Sequence, residues 1–230
     1  MKTIAIVLAG GQGRRVGGPV PKQLLMLGGR RVIEWSVGTM NDAAEVDEVV
    51  IVAGQDCREE IETIVARAGW PKVVGIVDGG TTRAGSVKNA LDSLACDEAN
   101  VLIHDAARPL VSHTIIYKVC EALREKEAVG VAVRASDTVW QVGAGVIVDV
   151  PDRGQLWLAQ TPQAFRLSLI RRAHALAASD PAFDGATDDC GLLRRYLPHC
   201  PVAVVEGERR NMKLTYSEDL KQLEALLSEG

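Results

Sequence analysis

Three glycines and three cations crowd a short span near the start of the chain. Gly10, Gly11 and Gly13 are followed by Arg14, Arg15 and Lys22, and the stretch from Leu8 to Gln23 contains no Asp or Glu. Glycines let a backbone approach a ligand closely and turn its N–H groups inward. Arginine and lysine add the charge that a phosphate oxygen attracts. Together they describe a cradle for a small anion. The other reading, a surface loop with solvated basic residues, is disfavoured by the spacing of Arg15 and Lys22 and by the missing acids.

Two familiar phosphate loops can be tested against this stretch, and neither fits. The dinucleotide pattern G-x-G-x-x-G would run from Gly11 through Gly13 to position 16, which is Val16. The second predicted strand also lacks the acidic residue that would hold a ribose; it ends at Ala53-Gly54-Gln55. The pattern G-x-x-x-x-G-K-[ST] fails because Lys22 lies between Pro21 and Gln23. A nicotinamide-dependent oxidoreductase is therefore a disfavoured alternative, and a non-catalytic nucleotide-binding module is a second.

The charge distribution agrees with a small anionic ligand. The 230 residues carry a formal charge of −4, yet residues 1–33 hold Lys2, Arg14, Arg15, Lys22, Arg30 and Arg31 and no acid. A +6 start therefore sits on a −10 body, which suits a small polyanion better than a nucleic acid, whose binding needs a wide basic face. The longest apolar run, Ile4–Ala9, is far below the ~20 residues of a membrane span. Neither a membrane segment nor a signal peptide is expected. The five cysteines include no C-x-x-C pair, so buried, reduced thiols in a cytoplasmic protein are expected.

The elements that must position these residues alternate along the chain. Thr3–Ala9, Glu48–Ala53, Val73–Val77, Val101–His104 and Ala128–Val133 read as strands covered on both faces. Between them, Val32–Met40, Cys57–Arg67, Arg83–Leu94 and Thr114–Lys126 carry the three- and four-residue spacing of helices. This predicts an α/β fold with a mostly parallel sheet and right-handed crossovers. The glycine loop leaves the carboxyl end of the first strand, where such sheets bind ligands. After residue 134, Thr138–Val142 and Val146–Val150 read as a hairpin around Gly143-Ala144-Gly145. Gln155–Gln160 and Val202–Val205 are further strands. Arg166–Ala178, Asp188–Tyr196 and Ser217–Leu227 are helices, the last capped by Ser217. The chain reads as one domain, residues 1–230, with residues 138–153 as an excursion from it.

Gly11-Gln12-Gly13-Arg14-Arg15 with Pro21-Lys22-Gln23 resembles the signature of the cytidylyltransferase family that holds the 2-C-methyl-D-erythritol 4-phosphate and ribitol-5-phosphate enzymes. Later motifs fall in the family's order. They are Asp78-Gly79-Gly80 with Arg83 and Ser86, then His104–Pro109, Asp137-Thr138, Arg153, Gln160–Gln163, Thr187–Asp189 and Asn211–Thr215. The resemblance implies a Rossmann-like, three-layer α/β/α nucleotidyltransferase with a protruding hairpin arm. It implies transfer of CMP from CTP to a polyol phosphate, with 2-C-methyl-D-erythritol 4-phosphate favoured over ribitol 5-phosphate.

The resemblance also assigns roles. Arg15, Lys22 and Lys213 are the expected catalytic cations, because the reaction joins two anions and needs no covalent nucleophile. Ala9, Gly10, Gly11, Gly13, Gly80, Thr81, Arg83, Ser86 and Asp105 are expected to bind the nucleotide. Asp105 is also the expected Mg²⁺ ligand, since a carboxylate beside a triphosphate needs a cation between them. Arg108, Thr138, Arg153, Thr161 and Thr187 are expected at the polyol phosphate, with Thr138 and Arg153 reaching the active site of a second subunit in a homodimer. His104 is read as structural. Two departures stand out: Val16 replaces the family's usual methionine, and Arg210 stands where the family often has aspartate.

Overall fold

The computed structural model describes residues 1–11 and 20–229. Its elements, in chain order, are β1 (Thr3–Ala9), β2 (Met26–Leu27), β3 (Arg30–Arg31), α1 (Val32–Asp42), β4 (Glu48–Ala53), α2 (Arg58–Ala68), β5 (Val73–Asp78) and α3 (Arg83–Ser93). They continue with β6 (Asn100–Asp105), α4 (His113–Ala122), β7 (Ala128–Arg134), β8 (Gln141–Gly143), β9 (Val146–Asp149) and β10 (Trp157–Arg166). The chain closes with α5 (Leu167–Ala178), α6 (Asp189–Tyr196), β11 (Ala203–Glu206) and α7 (Ser217–Ser228).

Seven strands form one sheet in the order β11-β7-β10-β6-β1-β4-β5. All neighbours are parallel except β10, which runs antiparallel to both β6 and β7. The central strands bury both faces, which explains their lack of polar alternation. From β1, Ala5, Val7 and Ala9 pack with residues of α1, α2 and α4, whereas Ile4 and Ile6 pack with residues of α3, α5 and α6. This gives the three-layer α/β/α architecture. The edge strands depart from the both-faces expectation: β5 and β11 are only partly buried, because each has a sheet neighbour on one side alone.

A third, smaller core joins the ends of the chain. Leu27, Val32, Ala107, Leu110, Leu214 and Leu223 bury together, so α7 closes over the β2–β3 turn and the segment after β6. The helix begins one residue earlier than Ser217 suggests. Tyr216 is the cap position, and the Asp219 carboxylate accepts the N–H groups of Thr215 at 2.7 Å and Tyr216 at 2.8 Å. The α4 helix is also shorter than its apolar spacing, since its end tightens into turns at Arg124 and Glu125.

The hairpin forms a separate two-stranded sheet, β8–β9. Its first strand starts at Gln141 rather than Thr138. Every residue from Ser136 to Val150 is exposed except the half-buried Gly143. Among the described residues, no helix is long and apolar enough to cross a membrane. The thiols correct one expectation: all five are unpaired, but only Cys57 is fully buried.

Candidate active site

A cavity of about 600 Å³ opens at the carboxyl ends of β1, β5 and β6. The described residues bring Gly10, Gly11, Lys22, Gly80, Thr81, Arg83, Ser86, Asp105 and Lys213 to its wall. Gly10 and Lys213 come from opposite ends of the sequence, and the fold closes that gap. Gly13, Arg14 and Arg15 lie outside the described residues, as does Val16.

Two backbone segments meet at the floor of the cavity. A Cβ on Gly10 would sit 3.5 Å from the Ser86 hydroxyl and 3.8 Å from Gly79 Cα, so the first loop and the 78–86 loop are in contact. Gly80 is the tightest point. A side chain there would come within 2.6 Å of the Gly85 carbonyl carbon and 2.9 Å of the Ser86 nitrogen, both backbone atoms. Ser86 ties the turn: its hydroxyl donates to the Thr82 carbonyl and accepts from the Gly80 N–H, each at 3.0 Å. Thr82, not Ser86, caps α3, accepting from the Gly85 N–H at 3.0 Å.

One wall is a chain of alternating charge. Lys213 Nζ lies 2.6 Å from Asp105 Oδ2, and Arg83 Nε lies 3.4 Å from Oδ1. Arg83 reaches back to Asp189 at 2.8 Å, whose side chain is buried. Burial alone would raise the Asp105 pKa, but the Arg83 and Lys213 cations hold its carboxyl well below the usual range. Burial opposes the Arg83 charge, and Asp189 and Asp105 more than offset it. Asp189 stands beside Asp188 within the Thr187–Asp189 motif. Gln163 explains its placement, because its Oε1 accepts from the N–H groups of Asp189 and Cys190 at 2.8 and 3.0 Å. Those bonds pin the start of α6 to β10.

Lys22 stands beside the segment that carries Lys213, its ammonium donating to the Leu214 carbonyl at 3.2 Å. Leu214 N–H in turn donates to Ala107 O at 2.8 Å, so the segment carrying Lys213 is fastened at two points. Gln23, next to Lys22, also lines the cavity; it donates to the Ala9 carbonyl at 2.7 Å and so holds the end of β1. Thr82, Ala106, Ala107 and Thr215 line the cavity as well, the last three from within the His104–Pro109 and Asn211–Thr215 motifs.

The remaining predicted residues are placed elsewhere. Ala9 is buried, with its carbonyl taken by Gln23. The Arg108 guanidinium donates to Asn211 O at 2.8 Å and Ala159 O at 3.1 Å, tying β10 to the 211–214 segment rather than pairing with Asp105. Thr161 is buried, and its hydroxyl meets the Asp105 N–H at 3.1 Å and His104 Nδ1 at 3.0 Å. Thr187 is exposed, just before α6. Thr138 and Arg153 are exposed on the arm, with Arg153 donating to Ser136 O at 3.0 Å. None of these six lines the cavity of its own chain. Arg210 is exposed and is not at the wall either.

Among the described residues, the other basic side chains of residues 1–33 are engaged elsewhere. Lys2 pairs with Glu48, Arg31 with Glu60 at 2.7 Å, and Arg30 stacks on Trp35 at 4.9 Å.

The donor set bears on a metal. Among the described residues no cluster of three or more His, Cys, Asp or Glu side chains is present. Asp105 is the carboxylate at the wall that offers hard oxygen. That suits a hard cation such as Mg²⁺, which commonly takes one or two carboxylates and completes its shell with water and substrate phosphates.

Residues 3–229 match the family model described as IspD, 2-C-methyl-D-erythritol 4-phosphate cytidylyltransferase. A curated protein of that name from Thermobifida fusca is 49% identical over 100% of this chain and 94% of its own length. A solved 4-diphosphocytidyl-2C-methyl-D-erythritol synthase from Anaerococcus prevotii superposes with a TM-score of 0.87 at 31% identity, covering 99% of this chain and 96% of that one. The 2-C-methyl-D-erythritol 4-phosphate cytidylyltransferase of Thermus thermophilus gives a TM-score of 0.77, also at 31% identity, over 97% and 98% of the two chains.

Proposed function

This chain belongs to the 2-C-methyl-D-erythritol 4-phosphate cytidylyltransferase family, and on that premise we propose that it transfers CMP from CTP to 2-C-methyl-D-erythritol 4-phosphate. An acceptor phosphate oxygen bonds to the α-phosphorus of CTP. The bond from that phosphorus to the bridging oxygen breaks, and pyrophosphate leaves with the electron pair. The single observation that carries the reading is the cavity wall itself. Glycine backbone, Lys22, Arg83, Asp105 and Lys213 converge there from separate segments of the chain. Ribitol 5-phosphate as acceptor and nicotinamide-dependent hydride transfer are not favoured.

The parts take these roles. Lys22 and Lys213, with Arg15, neutralise charge as two anions approach and as the α-phosphorus becomes five-coordinate. Gly10, Gly11 and Gly13 bring backbone N–H groups to the phosphates. Gly80, Thr81 and Ser86 form a tight backbone edge suited to a pyrimidine. Asp105 would hold Mg²⁺, which when bound screens the triphosphate and polarises its oxygens. Arg83 orients Asp105. Arg108, Thr161 and Thr187 are assigned to the acceptor side, as are Thr138 and Arg153 from a neighbouring subunit.

A homodimer is the proposed assembly. Its support is the arm, which exposes Trp140, Val142, Val146, Ile147 and Val148 on a two-stranded sheet that cannot bury its own faces. The unpaired cysteines support a cytoplasmic location. The test is pyrophosphate release. It is expected only when CTP, Mg²⁺ and 2-C-methyl-D-erythritol 4-phosphate are all present. Equal release without the acceptor contradicts the proposal.

A further inference from the structure

We infer that Asp189 is a positioning residue for the cavity wall: it keeps the Arg83 guanidinium from engaging Asp105 fully, and so sets how much of that carboxylate faces the nucleotide. The role rests on reading the cavity as the site of cytidylyl transfer. The geometry begins at two helix starts. Arg83 is the first residue of α3, and Asp189 is the first of α6. An acid suits the positive end of a helix, but an arginine gains nothing there. Arg83 is therefore placed by its partners and not by its own helix.

One edge of the guanidinium is divided between two acids. Nη2 lies 2.8 Å from Asp189 Oδ2, and Nε lies 3.4 Å from Asp105 Oδ1. Undivided, such an edge can grip a single carboxylate with two parallel bonds. Asp189 makes the shorter contact and is the more deeply buried acid, its side chain 1% exposed against 11% for Asp105. The guanidinium is planar and rigid, so fixing Nη2 also fixes where Nε points. Burial works against the Arg83 charge, and Asp189 does more than Asp105 to sustain it.

Asp189 itself has little room to move. Gln163 Oε1 accepts from the N–H groups of Asp189 and Cys190, and Gln163 Nε2 donates to Asp188 Oδ2 at 2.8 Å. Asp188 Oδ1 in turn caps α6 by accepting from the Gly191 N–H at 2.9 Å. Gln163 lies in β10, in register with Ile103 of β6, two positions before Asp105. Both acids are thus referenced to one pair of strands, and Arg83 bridges the fixed gap between them. Without the Asp189 charge, the released half of the guanidinium edge would close on Asp105. Arg83 and Lys213 together would then neutralise the carboxylate that the wall presents. Supporting residues of this kind set the precision of a site to fractions of an ångström.

The test is a double-variant cycle in the full-length protein: Asp189→Asn, Asp105→Asn and the pair, with Asp189→Glu as the conservative control. Calorimetry with Mg²⁺ gives the CTP dissociation constant, steady-state assays give kcat, and thermal melts give stability.

Asp189→Asn is expected to weaken CTP binding and lower kcat by about 10-fold each. Asp189→Glu, which keeps the charge, should recover most of both. In the Asp105→Asn background, adding Asp189→Asn should change the CTP dissociation constant by less than about 2-fold, because the carboxylate that Arg83 would close upon is gone. Equal losses in the two backgrounds would overturn the inference by giving Asp189 an effect that bypasses Asp105. A lower melting temperature with unchanged CTP binding and kcat would overturn it by making Asp189 structural alone. If Asp189→Asn does not fold, Asp189→Ser, smaller and equally uncharged, enters the same cycle. Wild type that binds CTP yet releases no pyrophosphate would instead refute the proposed function, and the binding cycle would still decide the role of Asp189.

Discussion

Lys213 and Asp105 stand 108 positions apart in the chain, and the ammonium of one lies 2.6 Å from a carboxylate oxygen of the other. With Arg83 on the second oxygen, the carboxylate is enclosed by two cations. The pair sets the charge of the wall that an incoming triphosphate meets. It also makes Asp105 costly to neutralise, because Lys213 would lose its close counter-charge while partly buried and Arg83 would keep Asp189 alone.

Asp105→Asn should therefore hurt twice. Stability in urea should fall by about 1–3 kcal/mol, the cost of removing one partner from a partly buried charged contact. Turnover should fall by roughly 10²–10³, the size seen when one preorganised charge is removed. Full activity in this variant would remove Asp105 from the site.

Lys22→Ala should lower kcat by about 10² or more, since a cation at the reacting phosphates acts mainly in the transition state. The same variant should stay folded, because Lys22 is only partly buried. Rapid single-turnover assays with a parallel circular dichroism spectrum separate the two effects. Unimpaired turnover would move the catalytic charge elsewhere.

Gly80→Ala tests the closeness of the two loops. The new methyl would meet backbone atoms at 2.6 and 2.9 Å, which no rotamer change relieves. The expected cost is about 1–3 kcal/mol, as for other overpacked sites. Weaker CTP binding should accompany it. Denaturant melts and calorimetry measure both.

Acid should destabilise the protein in two stages. Burial pushes the His104 pKa down to about 4, so the fold favours its neutral form. That contribution is complete above its ordinary value of 6.5 and is lost as pH falls toward 4. It amounts to about 3 kcal/mol, since each tenfold change in proton affinity corresponds to roughly 1.36 kcal/mol. Asp105 is depressed as well, and its contribution declines only below its ordinary value of 3.8. Urea melts between about pH 7.5 and 4.5 should show the first stage, and His104→Phe should flatten it.

The architecture is largely legible in the sequence, and the reason is burial. Ile4–Val7 and Val49–Val52 sit between two helical layers, so their runs lack polar alternation, and Gly10 and Gly11 mark the turn that leaves β1. The sequence pattern of β10 stops at Gln160, because Pro162 and the register shift hide a strand that continues to Arg166. Its antiparallel direction leaves no local signal at all. At the site, Lys22, Arg83, Asp105 and Lys213 are readable from residue type and motif order. Asp189 is not, because only the fold reveals that one acid of an adjacent pair is buried against Arg83. The resemblance assigns Arg108 and Thr161 to the substrate, whereas the structure gives their polar atoms to Asn211, Ala159, His104 and Asp105.

The arm gives a prediction about assembly. If Thr138 and Arg153 serve a neighbour's cavity, Arg153→Ala and Lys22→Ala should each be nearly inactive, yet complement each other. Refolded together, they should recover up to about a quarter of wild-type activity through hybrid dimers with one intact site. No recovery on mixing would place both residues in their own subunit's site.

The most direct measurement is kcat/KM for 2-C-methyl-D-erythritol 4-phosphate and for ribitol 5-phosphate, with CTP and Mg²⁺ and pyrophosphate as the readout. Release is predicted with CTP and 2-C-methyl-D-erythritol 4-phosphate together. The preference for that acceptor should be at least about 10², the discrimination a site built around polar substrate groups can reach. Equal or better use of ribitol 5-phosphate, or no release with either acceptor, would contradict the proposed function.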